Sequence, residues 1–179
     1  MLVVENVLTT NHISFSDDDL TSEGIGHNKA LYISVRCNEK LLPRVLIDNG
    51  SALNICSWNA LVKLELSDVR LRTSATIIRG FDGARREPMG EVDLVLEIGP
   101  VQFQTVFQIK DFSSVYNVLL GRLWIHTFGV VPSSLYQKVK FIVNDQLITV
   151  SAEDDCIMII NSTLKEENGR KTLVLPSCS

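Results

Sequence analysis

A chain of 179 residues, 45% hydrophobic and 21% charged, carries apolar material for one sizeable core plus tails rather than for several domains. A formal net charge of −4 and a pI near 5.4 count against a module built on phosphate contacts, which needs a basic footprint, so no direct nucleic-acid partner is expected. No run approaches the roughly 18 apolar residues of a membrane-crossing helix, and the first residues lack the basic start and small-residue cleavage site of a secretory signal, so an intracellular, cytoplasmic chain with no membrane partner is expected.

Residues 1–29, with the acidic run Asp17-Asp18-Asp19 and the glycines Gly24 and Gly26, read as an acidic, flexible linker holding one short strand at most. A folded domain is expected over residues 30–150. Residues 31–37 alternate in period two, Asn38-Glu39-Lys40 supplies a turn, and residues 43–47 return as a second strand, giving a hairpin. Val45, Leu46 and Ile47 are β-favouring and unbroken, as in a strand covered on both faces, and the tight turn Asp48-Asn49-Gly50-Ser51 follows directly. A carboxylate at the end of a buried strand loses hydration, so it is neutralised, paired, or kept there for chemistry. Backbone N–H groups of Gly50 and Ser51 and the Ser51 hydroxyl are candidates to hydrogen-bond it and hold it ionised. A plain turn with a satisfied Asx side chain explains an isolated Asp-x-Gly equally well; the apolar runs on both sides set this one apart.

Residues 58–64 have apolar side chains at helical spacing, and residues 76–78, 92–98 and 101–109 read as strands, the last two joined by a turn at Gly99-Pro100. Before them, RGFDGARR from Arg79 to Arg86 places two glycines around Phe81 and Asp82, which suits a mobile hairpin. Its Arg79, Arg85 and Arg86 form the one basic cluster of note and read as a solvated hairpin tip. Val118-Leu119-Leu120 is a buried strand stopped by Gly121, residues 123–127 begin a short helix, and residues 140–150 form a hairpin around Asn144-Asp145. Residues 151–179, with a charged stretch at 165–171, read as a C-terminal connector. Cys37, Cys56, Cys156 and Cys178 make no C-x-x-C pair and match no histidine spacing, so neither a zinc site nor a disulfide framework is indicated and the thiols are expected reduced. His12, His27 and His126 are isolated and read as surface or packing residues. No metal and no cofactor are expected.

The order of these segments carries a resemblance. An apolar strand, then Asp48-Asn49-Gly50-Ser51-Ala52-Leu53-Asn54, a Gly-rich hairpin about thirty residues on, and then Leu119-Leu120-Gly121-Arg122 resemble the retropepsin-type aspartic protease domain of gypsy-type LTR retrotransposon polyproteins. The tract LGRLWIHTFGVVPSSLYQKVK, from Leu120, is similar to the one that follows the protease core in plant elements of that group. The likeness runs from about residue 31 to residue 150. It implies a mainly β fold, a closed acid-protease barrel with one or two short helices and one lobe per chain. It also implies catalysis by Asp48, an active-site loop of Asn49, Gly50 and Ser51, and a substrate-binding flap of Gly80, Phe81, Asp82 and Gly83 that closes over peptide. Leu119, Leu120 and Gly121 then pack beside the catalytic turn, with Gly121 allowing close backbone approach. The chain departs from the family at one position: the residue after the aspartate is usually Thr or Ser, whose hydroxyl braces the two loops across a dimer, and here it is Asn49, which still donates and accepts.

One strand-Asp-x-Gly turn is present, and one carboxylate cannot serve as both base and acid on a peptide bond. The resemblance therefore implies a homodimer in which two Asp48 side chains share one proton, one activating a water and the other polarising the scissile carbonyl. The implied substrate is an extended polypeptide, the chain's own polyprotein, paired through its backbone in the β-augmentation manner. A second reading is a catalytically degenerate protease-fold domain that dimerises or binds peptide without cutting. A reverse transcriptase or integrase lacks support, for there is no Tyr-x-Asp-Asp and no zinc-binding His/Cys set. The connector would lead toward such an enzyme, which makes the chain read as a fragment or truncated copy.

Overall fold

Asn38 and Glu39 have φ of 50° and 63°, the left-handed pair that reverses two strands in keeping with their twist. They close the hairpin between β1 (Tyr32–Cys37) and β2 (Lys40–Ile47). The computed structural model describes residues 12–80, 82–111 and 113–153, together with the backbone of two later strands. The β1–β2 ladder shifts between Ile33 and Val35, and Arg44, on the bulged strand, has φ of 57°. The Glu153 carboxylate fastens this bulge, accepting the Arg44 N–H at 3.1 and 3.2 Å and the Ser34 hydroxyl at 2.7 Å.

The chain continues through β3 (Ile55–Ser57), α1 (Trp58–Lys63), β4 (Ile78–Arg79), β5 (Arg85–Arg86), β6 (Gly90–Ile98), β7 (Val101–Lys110), β8 (Val118–Leu120), α2 (Arg122–Thr127), β9 (Val131–Ser133), β10 (Lys138–Val143) and β11 (Gln146–Ser151). Ser57 caps α1, its hydroxyl accepting the Ala60 N–H at 3.1 Å. Six strands close into a barrel in the order β1-β2-β8-β3-β7-β6. Among the described residues the fold is thus mainly β with two short α-helices, as the resemblance implied.

Alternation places the core. Along β6, Val92, Leu94, Leu96 and Ile98 point inward between exposed or half-exposed partners. Phe103 on β7 meets Trp124, Phe128 and Phe141 edge to face at 5.5, 4.9 and 5.4 Å, so α2 and β10 are fixed to the barrel through one ring. A second, smaller apolar cluster of Ile55, Ile78, Tyr116 and Leu119, with Tyr32 and Leu46 at its margin, lies apart from that core.

Several elements differ from the sequence reading. Of the strand expected at residues 76–78 only Ile78 is in a strand, the two-residue β4 paired to β5. β3 was legible only as an apolar stretch, being three residues long and buried throughout. β9 contains Pro132, which argues against a strand, and lies at the edge of the sheet β11-β10-β9, where a missing N–H is tolerated. Within residues 1–29, expected to be a flexible linker, the described part is docked: Phe15 stacks on Tyr136 at 5.0 Å, and Lys140, only 6% exposed, donates to the Ser14 carbonyl and the Asp19 carboxylate, both at 2.8 Å. Lys140 and the Ser16 N–H hold the Asp19 carboxyl below its ordinary range. The sequence showed no partner for Asp19 because Lys140 lies more than a hundred residues away. In the connector, β12 (Leu164–Glu167) and β13 (Arg170–Leu173) pair antiparallel.

Candidate functional site

Asp48 leaves the end of β2 and is hung from β8: its N–H donates to the Leu120 carbonyl at 3.0 Å, continuing the parallel β2–β8 ladder by one residue. Its side chain is half-buried, while Asn49 and Gly50 are exposed. The Gly50 N–H donates to Asp48 Oδ1 at 2.8 Å, as expected of the turn. The Ser51 groups act otherwise than expected. The Ser51 N–H donates to the Asp48 main-chain carbonyl at 3.3 Å, and its hydroxyl donates to the Leu53 carbonyl at 3.1 Å, bracing the loop exit rather than the carboxylate.

Leu119 and Leu120 on β8 and the following Gly121 do lie beside this turn. A Cβ on Gly121 would stand 2.3 Å from the Leu53 carbonyl oxygen and 2.6 Å from that of Ser51, so only glycine fits. The Arg122 and Leu123 N–H groups, at the start of α2, donate to the Ser51 and Ala52 carbonyls at 2.8 and 3.3 Å. Arg122 adds its guanidinium, donating to the carbonyls of Asn49 at 3.0 Å and Gly50 at 3.3 Å.

Asn54 is the residue whose role sequence reasoning missed. It is 1% exposed; its Oδ1 accepts the Gly121 N–H at 3.0 Å, and its Nδ2 donates to Thr105 Oγ1 at 3.0 Å and the Val106 carbonyl at 3.1 Å. One amide therefore ties the turn, β8 and β7 together. An asparagine inside an apolar stretch was the available signal. Asn54→Ala leaves a buried N–H and a buried carbonyl without that amide, and is expected to lower stability by about 2 kcal/mol in urea unfolding.

At the segment read as a flap, β4 and β5 pair antiparallel, Ile78 opposite Arg86 and Arg79 opposite Arg85. Gly80 and Ala84 are joined by an N–H to carbonyl bond at 3.0 Å, and Asp82 Oδ1 accepts the Ala84 N–H at 2.9 Å. That bond and the exposed Arg86 ion pair at 3.5 Å hold the Asp82 carboxyl below its usual range. Gly83 has φ of 74°. Phe81 lies outside the described residues. At the hairpin's base, Ile78 enters the apolar cluster with Ile55, Tyr116 and Leu119.

One further residue reaches this cluster without a sequence signal. Lys110, 2% exposed at the end of β7, donates to the Tyr116 hydroxyl at 2.8 Å and lies 4.1 Å over its ring. Burial, then the charge of Asp48, pushes the Tyr116 phenol up to about 12; burial, then Arg86, pushes Lys110 down to about 8. The phenol thus feels the turn and the ammonium feels the flap.

Burial pushes the Cys56 thiol up to about 12, which leaves it unreactive, and Cys37 is raised for the same reason; Cys156 and Cys178 lie outside the described residues. His27 Nε2 donates to the Leu135 carbonyl at 2.8 Å, a packing contact. Among the described residues no group of three or more His, Cys, Asp or Glu side chains is placed to hold a metal ion, and no helix is long and apolar enough to cross a membrane.

No protein-family model matches the chain, and no curated protein matches it. Solved structures do. The retroviral protease-like domain of Ddi1 from Leishmania major aligns with a TM-score of 0.56 at 10% identity, covering 74% of this chain and 100% of that domain. EIAV protease, complexed with the inhibitor HBY-793, gives 0.47 at 18% identity over 60% of this chain and 96% of its own. A retropepsin-like aspartic protease from Rickettsia conorii gives 0.46 at 17%, over 62% and 83%. The fold is that of a retropepsin-like domain.

Proposed function

On this retropepsin-like fold, we propose that the chain is an aspartic endopeptidase of a retrotransposon polyprotein, of the gypsy type found in plants, and that it works as a homodimer on its own polyprotein. The observation that carries the reading is Asp48: half-buried, hydrogen-bonded by Gly50, and held on a turn that β8, Asn54 and Arg122 brace from below. Such a turn is built to keep a carboxylate still while leaving its crest, Asn49 and Gly50, exposed for a second copy. Two carboxylates brought together cannot both ionise, so the pair shares a proton and titrates as a unit. The ionised member takes a proton from water while the protonated one polarises the peptide carbonyl. The flap hairpin, β4 and β5, covers an extended peptide that pairs through its backbone. Residues 30–150 are the catalytic unit in this reading and residues 151–179 the connector.

Asn49 favours one competing reading, a protease-shaped domain that dimerises or binds peptide without cutting. Its side chain is exposed at the crest of the turn, where the brace across the dimer would form. Asn49→Thr separates the two. Peptide cleavage at acidic pH by the parent, changed less than about tenfold in kcat/KM by the substitution, is expected of a competent site. No cleavage by the parent and a gain in the threonine variant would establish the degenerate reading instead.

A further inference from the structure

We infer that Gln108 is a positioning residue for the flap: its buried amide holds Ser74, where the chain enters the hairpin, at a fixed place relative to the Asp48 turn. The inference rests on the proteolytic reading for the hairpin's role over substrate, although not for its test. Gln108 lies on the barrel strand β7 and is 5% exposed. Its main-chain N–H donates to the Asn54 carbonyl at 2.9 Å, and the Asn54 side chain accepts from Gly121 beside the turn. Its side chain reaches the flap root instead, where Oε1 accepts the Ser74 hydroxyl at 2.5 Å. One residue therefore touches both the support of the catalytic turn and the start of the flap.

Chemistry sets the polarity of these bonds. Glu91 Oε2 accepts the Gln108 Nε2–H at 3.1 Å, and a carboxylate can only accept. The amide is thereby oriented with Oε1 toward Ser74, whose hydroxyl donates to it and accepts the Thr76 N–H at 3.1 Å. Glu91 is fixed in turn by Arg72, whose guanidinium lies 3.4 Å from its Oε1 and donates to Asp93 at 2.9 and 3.3 Å. A buried amide satisfied at both ends in one orientation holds its partners in one place.

The flap has two roots. Arg72 and Glu91 join them by exchanging two main-chain bonds of 2.9 Å. At the second root the Met89 N–H donates to the Ile109 carbonyl at 2.8 Å, and a Cβ on Gly90, whose φ is 153°, would come within 2.7 Å of the Arg72 carbonyl oxygen. Between the roots the main chain bonds within the hairpin, from Gly80 to Ala84 and across β4 and β5. Strand pairing thus holds the second root, whereas the first, beyond Arg72, is held by the side-chain bond from Ser74 to Gln108.

The test uses the full chain with Ser74→Ala, Ser74→Thr and Gln108→Met, and reads amide hydrogen exchange first. Ser74→Ala and Gln108→Met are expected to speed exchange of the Arg72 and Met89 amides, at the two roots, by about fivefold or more, with the β1–β2 amides changed by less than about twofold. Ser74→Thr keeps the hydroxyl and is expected to stay near the parent. Equal acceleration throughout the barrel, none at the roots, or the same acceleration in Ser74→Thr as in Ser74→Ala overturns the proposal. Kinetics on a peptide that the parent cleaves then reads the consequence. Ser74→Ala is expected to raise KM about fivefold with kcat within about twofold, restored by Ser74→Thr, because a displaced flap weakens substrate binding before it disturbs the carboxylates. A fall in kcat at unchanged KM marks lost folded enzyme and overturns the positioning role. If the parent cleaves no peptide, the proteolytic reading falls, while the exchange measurement still decides whether Gln108 holds the flap root.

Discussion

Asp48→Asn is expected to abolish peptide hydrolysis, lowering kcat by about 10³-fold or more, while leaving the fold intact. Asparagine keeps the volume and an Oδ1 that still accepts the Gly50 N–H, the 2.8 Å bond that shapes the turn. The main-chain bond from residue 48 to the Leu120 carbonyl is unaffected as well. What disappears is the ability to exchange a proton with water and with the other carboxyl. Steady-state kinetics beside a thermal melt checks both halves: lost turnover at a nearly unchanged Tm. Retained turnover would remove Asp48 from the chemistry altogether.

Gly121→Ala is expected to have the largest effect on stability, about 3 kcal/mol or more. The added methyl would stand 2.3 and 2.6 Å from two carbonyl oxygens, and both belong to backbone that is already committed. The Ser51 carbonyl accepts from the Arg122 N–H at 2.8 Å, and the Leu53 carbonyl accepts from the Ser51 hydroxyl at 3.1 Å. Neither can swing away without breaking the braces of the Asp48 turn, and Gly121 cannot retreat without releasing Asn54. Urea unfolding measures the loss. A cost below about 1 kcal/mol would mean that the loop relaxes freely, contrary to the rigid support described above.

The contrast between these residues shows what a sequence discloses here. Asp48, the apolar strand before it and the Val118-Leu119-Leu120 strand were legible because strand character and turn chemistry are local properties, written in period and in Asn-Gly. Gly121 was legible as a stop and as a point of close approach, though not the two carbonyls that require it. The Ser51 hydroxyl was a candidate donor to the carboxylate three residues back, yet it donates to the Leu53 carbonyl two residues on. Lys110 and Tyr116 were invisible as a pair, since only the loop between β7 and β8 brings the phenol back over the ammonium. The docking of Phe15 and Asp19 on Tyr136 and Lys140 was hidden for the same reason, being a complementarity between distant segments. Local rules describe the catalytic turn well; the groups that brace and surround it depend on which strands become neighbours.

The pairing of two Asp48 side chains across a dimer is the claim on which the mechanism depends, and subunit mixing tests it. Parent and Asp48→Asn chains are refolded together at varied proportions and fixed total concentration, and the rate of peptide cleavage is followed. If each site takes one Asp48 from each of two chains, activity falls as the square of the parent fraction. A fall in direct proportion to that fraction would show that each chain cuts alone and would contradict the account.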